Sequence, residues 1–203
     1  AAESGLKATP ADQEEADNFE VGLKSVLMDG TMVFNVAAFF IDADQIQLTT
    51  PLAAPGGQLT SIVTNQGYGE TMGVEVEWSL QVTDSLGVGI NYALADTEFT
   101  EGCDEFQWTL TSGGGVLNPA LDCDGNNPHG NGNGSIKGNK YPLSSQNQLS
   151  AYADFRTPFR GGFDFFANAD LSYEDEKPVQ VHNLAWVPDA TIVNARMGLE
   201  NES

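Results

Sequence analysis

Val74-Glu75-Val76-Glu77-Trp78-Ser79-Leu80-Gln81-Val82 exchanges apolar for polar side chains at every step. Successive side chains on a strand point to opposite faces. One face therefore carries Val74, Val76, Trp78, Leu80 and Val82, and the other Glu75, Glu77, Ser79 and Gln81. A sheet with one apolar and one charged face has two homes. Either the apolar face packs on a second sheet in water, or it meets lipid around a wet lumen.

Working outward, the same alternation predicts about seven strands. The first, over 19–27, sets Phe19, Val21 and Leu23 against Glu20, Gly22 and Lys24, and Asp29-Gly30 behind it is a hairpin signal. The second, over 31–48, puts Met32, Phe34, Val36, Ala38 and Phe40 on one face, while Val33, Phe39 and Ile41 blur the other. Pro51, Pro55 and Gly56-Gly57 then mark a loop before strand three, over 61–82. Strand four starts at Leu86, strand five covers 147–159, strand six 163–173 and strand seven 193–199. Residues 1–17 and 100–146 read as largely loop, and a polar loop spans 174–189.

Connections after strands one, three and five are tight and those between are long. All short turns thus fall at one end of the sheet. That segregation is expected of a membrane barrel and not of a sandwich with Greek-key connections. Aromatics also fall at two levels: Trp78, Phe155, Phe159 and Phe163 near the short turns, and Phe40, Tyr92 and Tyr173 further up. They resemble the girdles at lipid interfaces; in a soluble sandwich they would be core.

Composition narrows the function. With 29 acidic and 8 basic residues in 203 the formal charge is −21, which excludes a nucleic-acid binder and a polybasic membrane dock, since both need Lys and Arg. No stretch approaches the roughly 20 apolar residues of a helical span. The start, Ala1-Ala2-Glu3-Ser4-Gly5, has no basic region leading into an apolar segment, so no signal peptide is expected within the chain.

Cys103 and Cys123 fit no CxxC-type metal site, and their place in one polar loop leads us to expect a disulfide, the alternative being two unpaired thiols. Asp122-Cys123-Asp124-Gly125-Asn126 lacks the sixth-position Gly and distal Glu of an EF-hand loop, so a solvated acidic loop is expected there and no metal site. The Asn/Gly run from Gly130 to Gly134 is no phosphate cradle, because no strand-to-helix context surrounds it. His129 and His182 stand in loops without a nucleophile at a suggestive spacing, and neither GxSxG nor HExxH occurs. No enzyme, cofactor or catalytic residue is expected.

Asp17-Asn18-Phe19-Glu20-Val21-Gly22-Leu23-Lys24-Ser25, Asp29-Gly30, Val36-Ala37-Ala38-Phe39-Phe40-Ile41-Asp42, Thr64-Asn65-Gln66-Gly67, Met72-Gly73-Val74-Glu75-Val76-Glu77 and Ile90-Asn91-Tyr92-Ala93-Leu94-Ala95-Asp96-Thr97-Glu98-Phe99 together resemble the barrel of TonB-dependent outer-membrane receptors. Single motifs are weak; their order and spacing are specific. The resemblance implies an all-β, antiparallel up-and-down meander forming a curved part of a transmembrane β-barrel, with short periplasmic turns and long extracellular loops. It implies a bacterial outer-membrane location and active uptake of a scarce nutrient such as a siderophore, cobalamin or oligosaccharide.

The same resemblance implies outer-membrane lipid, a plug domain, the TonB energy-coupling protein beyond it, and a small-molecule ligand at the extracellular loops as partners. About seven strands against the family's twenty-two make residues 1–203 a single partial barrel domain from the C-terminal half, with the plug domain absent. In the family, glutamates equivalent to those of Gly73-Val74-Glu75-Val76-Glu77 hold arginines of the plug. The resemblance therefore makes Glu75 and Glu77 plug-facing lumen carboxylates, with Glu20 on the same side; the alternative is carboxylates hydrated by channel water. A passive porin-like barrel and a soluble β-sandwich binding module remain the competing readings.

Overall fold

The computed structural model describes residues 11–53, 59–112, 123 and 134–201. Strands β1 (Glu15–Leu27), β2 (Met32–Ala53), β3 (Leu59–Thr83), β4 (Leu86–Gly102), β5 (Asn147–Pro158) and β6 (Phe163–Glu174) follow in chain order. Helix α1 (Glu105–Ser112) lies between β4 and β5, and a two-residue hairpin of β7 (Lys177–Pro178) and β8 (Trp186–Val187) precedes β9 (Ala190–Asn201). The main sheet runs β1-β2-β3-β4-β5-β6-β9, every pair antiparallel. It is one open meander that leaves the outer edges of β1 and β9 unpaired.

The register extends the Val74–Val82 alternation across all seven strands. Ser25, Phe34, Trp78, Ile90, Ala151, Leu171 and Val193 form one cross-strand row of the apolar face. Leu23, Val36, Val76, Tyr92, Leu149, Tyr173 and Thr191 form the next. In that row the Tyr92 hydroxyl donates to Asn147 Oδ1 at 2.6 Å and the Tyr173 hydroxyl to Asp175 Oδ1 at 2.6 Å. Both rings thus keep an apolar body in the band and a polar tip toward the long-loop end, as interfacial tyrosines do.

On β2 the band runs from Met32 to Phe40, close to the roughly 9–11 residues that a tilted strand needs to cross hydrocarbon. Immediately above it, on the same face, Asp17, Asp42, Glu70 and Glu98 stand opposite one another on four adjacent strands.

The opposite, polar face is set by glycines covered with rings. Phe39 stands opposite Gly73, Tyr152 opposite Gly89, and Phe166 opposite Gly198. A methyl on Gly73 would lie 2.4 Å from the Phe39 ring, and one on Gly89 2.3 Å from the Tyr152 ring. This accounts for one of the three residues that blur strand two: Phe39 occupies the polar face because a glycine beneath it makes room.

Sequence and structure part at the long-loop end. The stretch read as a loop after strand two is mostly strand, since β2 continues to Ala53 through Pro51 and β3 starts at Leu59. Strands of 22 and 25 residues reach about 70–80 Å at ~3.3 Å per residue, well beyond any hydrocarbon layer. Irregular register between Ala43 and Gln47 bends this extension. β1 begins at Glu15, inside the segment read as loop, and α1 lies inside the longest one.

Candidate functional site

Alternation carries Glu20, Glu75 and Glu77 to the polar face, and the sheet curls toward that face. One open cavity of about 960 Å³ is lined by β1 residues Glu20 and Lys24, β3 residues Glu75 and Glu77, and β9 residues Ala190 and Ile192. All three glutamates named from sequence therefore line the same space. Glu75 stands opposite Ala37 and Ala93, whose small side chains leave its carboxylate clear; Glu77 stands between Asn35 and Asn91. Asn35 Nδ2 donates to Glu77 Oε2 at 2.7 Å. Among the described residues, Glu20 and Glu75 have no hydrogen-bonding or ion-pair partner.

Toward the short turns the same face forms a second cavity of about 660 Å³, whose lining includes Asp84, Asp154, Arg156, Arg196 and Glu200. Arg156 pairs with Glu200 and lies 3.7 Å from Asp164. Arg196 donates to Asn168 Oδ1 at 3.0 Å and lies over the Phe166 ring, while Asn168 donates to Asp154. Arg156 is thus ion-paired within the wall, whereas Glu20 and Glu75 are not, among the described residues.

Above the cavities, the described residues of the β4–β5 connection fold over the polar side of β2–β4 as an outer head. Phe99 and Ile136 are fully buried there with Leu48, flanked by Ile46, Tyr141 and Val181. Phe99 and Tyr141 rings meet at 4.7 Å. Asp104 caps α1 by accepting the Gln107 N–H at 2.6 Å. That Asp-x-x-Gln spacing was a helix-start signal that period-2 reading passed over.

A disulfide joins Cys103 to Cys123, with Cα atoms 5.4 Å apart. His182 accepts the Leu184 N–H at Nδ1, 3.2 Å away, its Nε2 meets Gln180 Oε1, and its ring lies 5.9 Å from Phe106. No group of three or more metal-ligating side chains is assembled among the described residues. Asp122, Asp124–Asn126, His129, the glycines 113–115 and residues 130–133 lie outside them.

Two groups of this outer head are electrostatically displaced. Hydrogen bonds from Tyr173 and Asn147 hold the Asp175 carboxyl below its usual range. Burial pushes the Tyr141 phenol up to about 12, with Asp42 and Glu70 adding repulsion. A phenol whose pKa is raised by folding stabilises the fold fully below its ordinary value near 10. That contribution is lost as pH climbs from there toward 12. In the full-length protein, Tyr141→Phe is expected to remove one phenolate absorbance step near pH 12 and none near 10; loss of a step near 10 would contradict the placement.

Comparison with known proteins follows the same lines. The sequence model of the family described as "TonB dependent receptor-like, beta-barrel" matches residues 4–201. Among curated proteins, the chain is 30% identical over 99 residues to the ferric-pyoverdine 358 receptor of Pseudomonas putida, covering 48% of this chain and 12% of that protein. It is 32% identical over 90 residues to the metal-pseudopaline receptor CntO of Pseudomonas aeruginosa, covering 44% and 12%.

Among solved structures, it is similar to the ferric yersiniabactin uptake receptor FyuA from Yersinia pestis, with TM-score 0.66, 16% identity, and 98% of this chain but 24% of that one covered. It is also similar to the siderophore receptor PiuA from Acinetobacter baumannii, with TM-score 0.64, 18% identity, and 94% and 23% covered. At these identities the structural likeness speaks to the fold. The chain spans about a quarter of the length of these solved receptors.

Proposed function

The chain belongs to the TonB-dependent receptor β-barrel family, and from that premise we propose that it forms part of the wall of a bacterial outer-membrane receptor for a metal chelate such as a siderophore. The names of the ferric-pyoverdine and metal-pseudopaline receptors support that class of cargo. In this reading the apolar face meets outer-membrane lipid and the polar face lines the lumen. A plug domain elsewhere in the protein fills the lumen, and the TonB energy-coupling protein acts on that plug. The small-molecule ligand docks at the long-loop end.

One observation carries the reading: carboxylates at Glu20 and Glu75 stand in a lumen-side cavity with no partner among the described residues, beside Glu77, which has only Asn35. Carboxylates in a narrow, partly dehydrated space favour cationic partners, and arginine offers them two parallel hydrogen bonds. A plug contributing arginines at this level would be held there. Arg156 near the short turns is already paired with Glu200 in the wall and would hold a plug less.

The test is Glu75→Gln with Glu77→Gln in the full-length receptor. Uptake of the ferric chelate is expected to fall about tenfold, the loss of roughly 1.5 kcal/mol of charge-assisted hydrogen bonding, and plug amides are expected to exchange faster. Unchanged uptake together with unchanged plug exchange would sink the plug contact. Glu20→Gln, at the cavity's β1 edge, is expected to act in the same direction and less.

A further inference from the structure

We propose that the described residues of the β4–β5 connection and the β6–β9 connection form one mechanical unit, latched by Asn139 and Asn183, so that a ligand at the mouth meets a single surface there and not two independent loops. The bonds between the connections are specific. Asn183 clasps the Lys140 peptide from both sides, accepting its N–H at 2.6 Å and donating to its carbonyl at 2.9 Å. Asn139 Nδ2 bridges Gln107 Oε1 of α1 at 3.0 Å and the Val181 carbonyl at 2.7 Å. Leu143 N–H donates to Pro178 O at 2.7 Å, and Ser145 Oγ to Glu174 at 2.7 Å.

The latch is also tied to the barrel wall. Phe99 N–H donates to the Asn139 carbonyl at 2.9 Å, and Gly138 N–H donates back to Phe99 O at 2.9 Å. Val181 packs on the buried Phe99–Ile136 core. Freeing the β6–β9 connection therefore exposes part of the core that seats the β4–β5 connection, and the two loosen together. Asn183 itself has φ +50°, a left-handed conformation that Asn tolerates better than most residues and Gly adopts freely. Asn183→Gly therefore removes the clasp without straining the backbone. The proposal concerns the outer head alone and stands whether or not the plug reading does.

The test is hydrogen–deuterium exchange by mass spectrometry on the full-length receptor with its disulfide intact. In the native protein, peptides covering α1 and residues 177–187 are expected to be protected together. In Asn183→Gly, exchange is expected to rise about tenfold, as for loss of roughly one net hydrogen bond, in residues 177–187 and also in α1, which Asn183 does not touch. Asn139→Ala, cutting the latch from the other connection, is expected to give the same paired loss. Acceleration confined to the connection that carries the substitution, or a native 177–187 segment exchanging as an open loop, would overturn the proposal.

Discussion

Gly73→Ala is expected to prevent β2, β3 and β4 from assembling as a continuous wall. The added methyl would lie 2.3 Å from the Leu94 carbonyl oxygen and 2.4 Å from the Phe39 ring. A ring can rotate away; Leu94 cannot, because its backbone belongs to the ladder in which Val74 pairs with Leu94. Relief therefore requires separating two strands in the middle of the sheet, at a cost of about 3 kcal/mol or more.

In the full-length receptor we expect the substituted protein to be degraded or protease-sensitive in the envelope fraction, with little folded barrel. Gly87→Ala is the control. Its nearest neighbour is the flexible amide end of Gln81 at 3.3 Å, and it should assemble as the native protein does. Adding Phe39→Ala to Gly73→Ala should rescue only in part, because the carbonyl clash persists. Native levels of folded Gly73→Ala protein would refute this account of the polar face.

Phe99→Ala is expected to open the outer head while leaving the lower wall intact. Phe99 is 1% exposed, packs with Leu48 and Ile136, and meets the Tyr141 ring at a tilt of 50°. Emptying such a site costs about 3–5 kcal/mol. The described head has only this one small core, so local opening is expected before global unfolding. Limited proteolysis of the full-length receptor should cut within residues 134–147 in the variant and spare that segment in the native protein. Phe99→Leu, which retains most of the volume, should be cut far more slowly. Identical cleavage of all three proteins would remove Phe99 as the keystone of the head.

The parts of this molecule legible in sequence were those governed by period-2 alternation. Val74–Val82 fixed the two faces of β3, and each apolar row then followed from register. Glu20, Glu75 and Glu77 could be assigned to one face on parity alone, and they do line one cavity. Alternation says nothing about where a hairpin stops, so Pro51 read as a loop residue although β2 runs through it; an antiparallel extension clear of lipid tolerates the missing donor.

The head was illegible for a different reason. Its core joins Leu48, Phe99 and Ile136 from three distant parts of the chain, and its latch depends on the side chains of Asn139 and Asn183 reaching another connection. Isolated polar residues in a long loop carry no periodic signal. Phe39 was visible as a departure from alternation; only its pairing with Gly73, repeated by Tyr152 on Gly89 and Phe166 on Gly198, gave it a purpose.

The row of Asp17, Asp42, Glu70 and Glu98 has a consequence for how deep the wall sits. Like charges directly opposite on neighbouring strands repel, and such a row is tolerable only where water and counterions reach it. Sinking the wall by two residues would carry these four carboxylates into the hydrocarbon, while raising it would strip lipid from the lowest apolar rows. In a bilayer the row thus acts as a waterline, holding the barrel at one height and keeping the long β2–β3 hairpin at full reach above the surface.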